Sequence, residues 1–235
     1  MPVRRGVVYE YPGSSEIAGV VVLTNDDWND RMEEIGVVPV RQPISEAIPD
    51  LHPIVSEAPP LQAIAGRLLS IDKSVLGRPV VVLDDQRLAL VEDLLCDILA
   101  LDELCRSEPR RPSLPKGIVD YPLWGEIYYA GEPIGGEYKR WVVVSTDGWN
   151  RSSRTSILVR TTSQKRRSGA EFPSIQKGEA RACCGDATTM LASRVQVRGK
   201  RPKPERLNTR DMAAVAEGLV ETHGFRGALE RRRRA

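Results

Sequence analysis

EYKRWVVVSTDGWNRSSRTSILVRTTS, residues 137–163, decides how this chain is read. It holds two short runs rich in Val, Ile and Thr, residues 141–144 and 156–161, with a polar segment between them. Side chains branched at Cβ favour a pleated backbone, so each run reads as a strand. Arg140 stands just before the first run and Thr162 just after the second. A damaged copy of the stretch lies at residues 16–42. Thr24-Asn25-Asp26-Asp27-Trp28-Asn29 aligns with Ser145-Thr146-Asp147-Gly148-Trp149-Asn150, 121 residues later. The same offset sets Val21-Val22-Leu23 on Val142-Val143-Val144, and Val37-Val38 on Leu158-Val159. Gly6 and Gly125 open the two copies, and Leu83-Asp84 corresponds to Leu207-Asn208 where each closing helix begins. An ordered set of matches reads as an internal duplication.

Outward from these anchors, each copy is a series of short strands followed by one helix. In the first, residues 6–11, 19–24, 35–40, 62–70 and 78–83 read as strands. Residues 43–60 carry five prolines and no period, and read as an irregular connection. Residues 84–101 repeat apolar side chains at three- and four-residue spacing, a helix with Asp84 or Asp85 as its cap. In the second copy, residues 124–130, 141–145, 156–161, 180–184 and 194–197 read as strands. Residues 132–137 and 164–169 read as loops, and 208–222 as the closing helix with Met212, Val215 and Leu219 on its buried face. The expected fold is mainly β (α+β): two small β-barrels, each with a C-terminal helix. The expected division is 1–105, a linker at 106–118, 119–226, and a basic tail at 227–235. The tail reads as a loose nucleic-acid contact or a disordered charged end.

Composition sets outer bounds. The chain has 235 residues, 41% hydrophobic with two Phe, so its core is built from Val, Leu and Ile. No apolar run approaches the ~18 residues that span a membrane, and the first residues lack the apolar stretch of a secretory signal. Cys96, Cys105, Cys183 and Cys184 lack the spacing of a disulfide framework or a zinc site, which fits a reducing cytoplasm. Cys183 and Cys184 read as one facing inward and one outward. The net charge of +2 hides a division. Residues 1–104 hold 8 Lys/Arg against 18 Asp/Glu, and residues 105–235 hold 26 against 14. The halves should attract one another, and the second should attract a polyanion.

The second copy resembles a known family. WGEIYY (124–129), GEPIGGEYKRWVVVSTDGWN (131–150) and TSILVRTTS (155–163) are similar to the MazF/PemK (Kid) group of toxin endoribonucleases, over residues 123–219. The first copy resembles it more weakly over residues 5–101, through Arg5-Gly6-Val7-Val8, Gly13-Ser14-Ser15-Glu16, Val20-Val21-Val22 and the run 71–77. The resemblance implies an SH3-like barrel, metal-independent cleavage of single-stranded RNA, no cofactor, and an antitoxin protein as partner. Because the family's members are usually homodimers, it implies a pseudo-dimer within one chain, with further self-association open. It places the family's arginine on Arg140 and its threonine on Thr162 as catalytic residues. Such chemistry needs a 2′-hydroxyl aimed at phosphorus and compensation of the growing phosphoryl charge. Read without the resemblance, Arg140 is a surface arginine at a strand start. Lys139, Arg151, Arg154, Lys165, Arg166 and Arg167 are the expected backbone contacts to RNA, and Tyr128 the expected stacking residue. Trp149 reads as a core or interface tryptophan, since Trp28 repeats it.

The sequence also departs from the family pattern. Trp141 replaces the proline after the arginine, and Thr188 falls where a late arginine is usual; Arg160, Arg154 and Arg194 are candidates to compensate. In the first copy the catalytic positions are Gly19 and Arg41, so one site per chain is expected. A catalytically inactive RNA- or protein-binding module is the alternative reading, and a topoisomerase-directed toxin acting through the terminal helix is a third.

Overall fold

The computed structural model describes residues 2–13, 15–44, 51–105, 121–134, 137–163, 169–196 and 204–234. Within them the chain forms two barrel-like, curled antiparallel sheets with flanking helices. The first half runs β1 (Val7–Tyr9), β2 (Gly19–Val22), α1 (Asp26–Arg31), β3 (Glu34–Arg41), β4 (Ile54–Glu57), β5 (Pro60–Ala63), β6 (Leu69–Asp72), β7 (Pro79–Val82), α2 (Asp85–Ile98) and α3 (Leu101–Leu104). The second runs β8 (Glu126–Ile134), β9 (Glu137–Val143), α4 (Asp147–Ser153), β10 (Thr155–Thr162), β11 (Ser174–Ile175), β12 (Ala180–Leu191), β13 (Val195–Gln196), β14 (Glu205–Arg206), α5 (Thr209–His223) and α6 (Arg226–Arg234). The sheet orders are β4-β5-β3-β2-β1-β7, with β6 also on β3, and β11-β12-β10-β9-β8-β13, with β14 also on β8. Strand for strand the order repeats, with long β12 standing where β5 and β6 stand in the first half.

The repeated hexamers are structural. Each sits where a strand ends, and each caps a short helix rather than forming the open loop its polarity suggests. Asn25 Oδ1 accepts from the Trp28 N–H (2.7 Å), and Thr146 Oγ1 from the Trp149 N–H (3.3 Å), which satisfies donors the helix leaves unpaired. The Thr24 hydroxyl meets Asn29 Oδ1 (2.6 Å) and accepts from the Gly36 N–H (3.2 Å). The Ser145 hydroxyl meets Asn150 Oδ1 (2.5 Å) and accepts from the Ile157 N–H (2.9 Å). All four side chains are buried, so their polarity must be met inside the protein.

Strand residues alternate between two cores. Val8, Val21, Leu23, Val38 and Val40 of the first half join Ile127, Val142, Val144, Ile157 and Val159 of the second in one large inner core. Helices α2 and α5 add Val91, Leu95, Met212, Val215 and Leu219 to it. The opposite face of the first sheet buries Val7, Tyr9, Val20, Val22, Ile35 and Val37, and takes in Phe172 and Cys183 from the second half. The opposite face of the second sheet holds a smaller cluster, Tyr128, Val143 and Leu158. Strands covered on both faces carry no polar alternation, which is why residues 6–11 show only a weak period.

The halves exchange contacts reciprocally. The Asn25 N–H donates to the Thr222 carbonyl of α5, and the Thr146 N–H to the Ile98 carbonyl of α2 (both 2.8 Å). Trp28 occupies the space over Gly185, and Trp149 the space over Gly66; a Cβ on either glycine would overlap the ring. Helix α3 lies against α5, and α6 against α2. Trp149 thus has the interface place that the repeat of Trp28 suggests.

Several expectations change. Residues 62–70 form parts of two strands, because β5 and β6 take separate positions along β3. The prolines of 43–60 do not keep it irregular throughout: β4 and the start of β5 form a hairpin there. The basic tail is a helix, and two of its arginines are paired within the chain: Arg231 with Glu92 (3.0 Å) and Asp93 (3.1 Å), and Arg232 with Asp97 and Asp102. Opposite charges one helix apart order the segment that composition alone would leave loose. Cys183 and Cys184 do point to opposite faces, but both faces are covered, so both are buried. The expected linker, 106–118, lies outside the described residues, as do Lys165, Arg166 and Arg167.

Candidate functional site

Strand pairing sets the second-half site out in rows. Across β8, β9, β10 and β12, Tyr128 faces Trp141, Trp141 faces Arg160, and Arg160 faces Cys183. One residue along, Tyr129 faces Arg140 and Thr161 faces Ala182; the Thr161 hydroxyl donates to the Arg140 carbonyl (3.2 Å), so β9 and β10 are still adjacent there. One residue further, Ala130 faces Lys139 and Thr162 faces Arg181; Lys139 and Thr162 each lie two residues beyond Trp141–Arg160, the last β9–β10 pair. Successive residues of a strand point to opposite faces. Ala182, in line with Arg140 and Thr161, belongs to the inner core, whereas Tyr128 and Cys183, in line with Trp141 and Arg160, lie on the outer face. Arg140 and Thr161 therefore share the inner face. Lys139, Thr162 and Arg181 share the outer one, each half-exposed.

Arg140 and Thr162 are neighbours along the sheet, but the pleat sends their side chains to opposite sides. Arg140 is held on its own side: its guanidinium donates to Glu205 Oε2 (2.9 Å) and Gln176 Oε1 (3.3 Å), and Gln176 Nε2 donates to the same Glu205 oxygen (3.1 Å). The Gln176 N–H donates to Asp211 Oδ2 (3.0 Å), which fastens this network to the first turn of α5. Tyr128 is buried, and its hydroxyl donates to Glu126 Oε2 (2.5 Å). Burial and that carboxylate push the hydroxyl above its ordinary range. Arg151 and Arg154 are exposed at the start of β10, and Thr162 ends it, about 25 Å away along an eight-residue strand.

Arg181 lies in no recognisable motif, so sequence reading does not single it out. Strand pairing brings it beside Thr162, and one of its nitrogens donates to the Phe172 carbonyl (3.0 Å). The equivalent row of the first half carries Arg41 facing Gln62, next to exposed Ala18. Gly19, level with Arg140, has no room for a side chain, since a Cβ there would lie 2.5 Å from the Tyr9 carbonyl oxygen.

Arg160, two residues before Thr162, is engaged elsewhere. It pairs with Asp186 and with Glu34 of the first half (3.6 Å). Between the Val159–Ala187 and Arg160–Cys183 pairs the register shifts, and the extra residues of β12 aim Asp186 at Arg160 and Gly185 at Trp28. Burial, then the hydrogen bond with Glu34, pushes the Asp186 carboxyl from 3.8 up to about 7, while Arg160 opposes the rise. Burial works against the Arg160 charge, but Asp186 and Glu34 outweigh it and raise its pKa. His223 moves the other way. Burial lowers it to about 3, and its Nδ1–H donates to the Leu219 carbonyl (3.2 Å).

These two groups give opposite pH slopes. Between 3.8 and about 7 the folded state keeps a proton on Asp186 that the unfolded chain releases, so this group's contribution falls as pH rises. Between about 3 and 6.5 the unfolded chain binds a proton on His223 that the folded state refuses, so that contribution is lost as pH falls. Asp186→Asn removes the first slope and leaves the second. Denaturant unfolding across pH 4–8 is expected to show the stability of the variant, relative to the parent, rising with pH up to about 7 and then levelling.

No family model matches the chain, and no curated protein matches it. Among solved structures, an endoribonuclease from a mycobacterial species, in complex with its cognate antitoxin, aligns at 19% identity over 44% of this chain and 95% of that one, with a TM-score of 0.37. A second mycobacterial endoribonuclease aligns at 18% identity over 42% of this chain and 88% of that one, with a TM-score of 0.36.

Proposed function

We propose that the chain is a metal-independent endoribonuclease acting on single-stranded RNA, a toxin countered by an antitoxin protein, with one active site in the second half. The observation that carries this reading is half-exposed Thr162 opposite Arg181, with Lys139 on the same face of the adjoining strand, in a half with an excess of positive charge, set against a first-half row that lacks both threonine and lysine. The motif resemblance of residues 123–219 supports it. The repeated strand order and the reciprocal contacts support descent from a duplicated SH3-like barrel, folded as a pseudo-dimer with halves near 1–105 and 119–226.

In the proposed reaction the RNA 2′-oxygen forms a bond to the adjacent phosphorus, and the bond from phosphorus to the 5′-oxygen breaks. The proton of the 2′-hydroxyl goes to solvent, and the leaving oxygen takes one up. The Thr162 hydroxyl donates to a non-bridging phosphoryl oxygen as negative charge grows there. The protein's part is orientation and charge compensation, roles a hydroxyl and cations can fill.

The test is cleavage of a random-sequence RNA pool in EDTA. The parent is expected to cut, and Thr162→Ala to lose ~10²–10³-fold in kcat/KM, the usual effect of removing one such donor. No cutting across the pool would sink the reading. A binding module without catalysis is the second reading, and the separation of Arg140 and Thr162 onto opposite faces favours it. Its signature is RNA binding with no cleavage, unchanged by Thr162→Ala.

A further inference from the structure

Resting on that site, we infer that Lys139 and Arg181, rather than Arg140, supply the positive charge that holds the RNA phosphate at Thr162. Three observations converge. First, Thr162 faces Arg181 on β12, and Lys139 on β9 and Thr162 on β10 each lie two residues beyond the last pair of those strands, Trp141–Arg160, so a cation stands on each neighbouring strand. Cross-strand neighbours lie about 5 Å apart at Cβ, which lets Arg181 reach an anion over Thr162, and the long Lys139 side chain on the same face can extend toward it. Second, the arginines of β9 and β10 are engaged: Arg160 by Asp186 and Glu34, and Arg140 by Glu205 and Gln176. Third, Arg181 spends one nitrogen on the Phe172 carbonyl, which anchors the guanidinium at the site while its other donors remain to meet a phosphate oxygen. A fixed, planar fork beside a flexible ammonium is a suitable pair, one orienting and one compensating.

Arg140 then acts as a strap. It ties β9 to β14 through Glu205 and to the turn before β12 through Gln176, on the side of the sheet away from Thr162. The first half supports this division. Its row keeps a cation, Arg41, but at the threonine's place and without a lysine beside it, so it can attract a phosphate and cannot present a hydroxyl to it.

The experiment compares Lys139→Ala, Arg181→Ala, Arg181→Lys and Arg140→Ala in two assays. One is cleavage of the RNA pool in EDTA. The other is binding of an uncleavable 2′-deoxy oligonucleotide as salt is varied. Lys139→Ala and Arg181→Ala are each expected to reduce kcat/KM by at least tenfold, with Arg181→Lys recovering part of it. Each alanine variant should also lower the slope of log K against log salt by about 0.7, the value for one lost contact to a single strand. Arg140→Ala should lower the thermal midpoint and leave the salt slope unchanged. Loss of cleavage and a reduced slope in Arg140→Ala, with Lys139→Ala and Arg181→Ala both matching the parent, would overturn the inference. If the parent binds and does not cut, the endoribonuclease reading fails and the salt slopes still decide this one. If the parent neither cuts nor binds, both fail.

Discussion

Glu92→Ala is expected to lower the free energy of unfolding by ~3–5 kcal/mol, the range for breaking a buried ion pair by removing one partner. Glu92 lies on α2 with its side chain 7% exposed, and Arg5, its partner at 2.5 Å, is 18% exposed. Neither group is well screened by solvent, so the loss is not discounted as a surface pair would be. Arg5 also donates to the carbonyls of His223 and Gly224 at the end of α5, and Glu92 also holds Arg231 of α6. Removing the carboxylate leaves the Arg5 guanidinium buried against Gly224 with its counter-charge gone. It also frees one of the two acids that fasten Arg231. Burial already lowers the Arg5 pKa, and Glu92 is the main group opposing that. The check is chemical denaturation at neutral pH, with Glu92→Gln as a second variant that keeps shape and loses charge. Both should be destabilised, the glutamine less so. A glutamine variant as stable as the parent would show that packing, not charge, is what Glu92 supplies.

Gly185→Ala is expected to cost ~3 kcal/mol or more, at or above the upper end of the usual range for overpacking. The added methyl would overlap the Trp28 ring, which is 1% exposed, packs tilted at 37° to Phe172 with centroids 5.5 Å apart, and donates from Nε1 to the Glu34 carbonyl (2.9 Å). A ring fixed on several sides cannot step aside as the end of a flexible chain could. The matching change, Gly66→Ala against Trp149, should cost less, because Trp149 is only partly buried. Trp28→Leu made together with Gly185→Ala should recover part of the loss, and a double-mutant cycle measures the coupling. Independent, additive effects would mean that the ring and the glycine do not oppose one another across the halves.

Strand positions were legible because β-branched runs repeat at a fixed offset, and the helices because their apolar period is clear. Asp84 and Asn208 cap α2 and α5 as their places suggest, accepting from the N–H groups of Arg87 and Asp211 (both 2.8 Å). The hexamers were visible as a repeat, but their purpose was not. The hydroxyl–asparagine pairs depend on a strand twelve residues on, which a local reading does not include. What the sequence could not show is which side chains share a face at the proposed site. Placing Arg140 beside Thr162 follows from their ends of adjacent runs. Which of Lys139 and Arg140 faces Thr162 is a question of register, and a slip of one residue reverses every face. Arg181 sits inside the run 180–184 that reads as a strand, but its place opposite Thr162 depends on a register set by the bulge further along β12, which that run does not show. The tail escaped for a related reason, since its order comes from acids on α2 over a hundred residues away.

The exchange of tryptophans, helix ends and ion pairs between halves has a consequence for how such a molecule can change. In an assembly of two identical chains every substitution is made twice, so a damaged site is damaged on both sides. Here Thr162 and Arg41 hold equivalent places and differ freely, because each is encoded separately. The partner for each half also arrives at a fixed ratio and at the high effective concentration of a tethered segment, whatever the protein concentration in solution. Joining the halves thus lets their equivalent positions diverge independently, and no exchange of subunits can undo the difference.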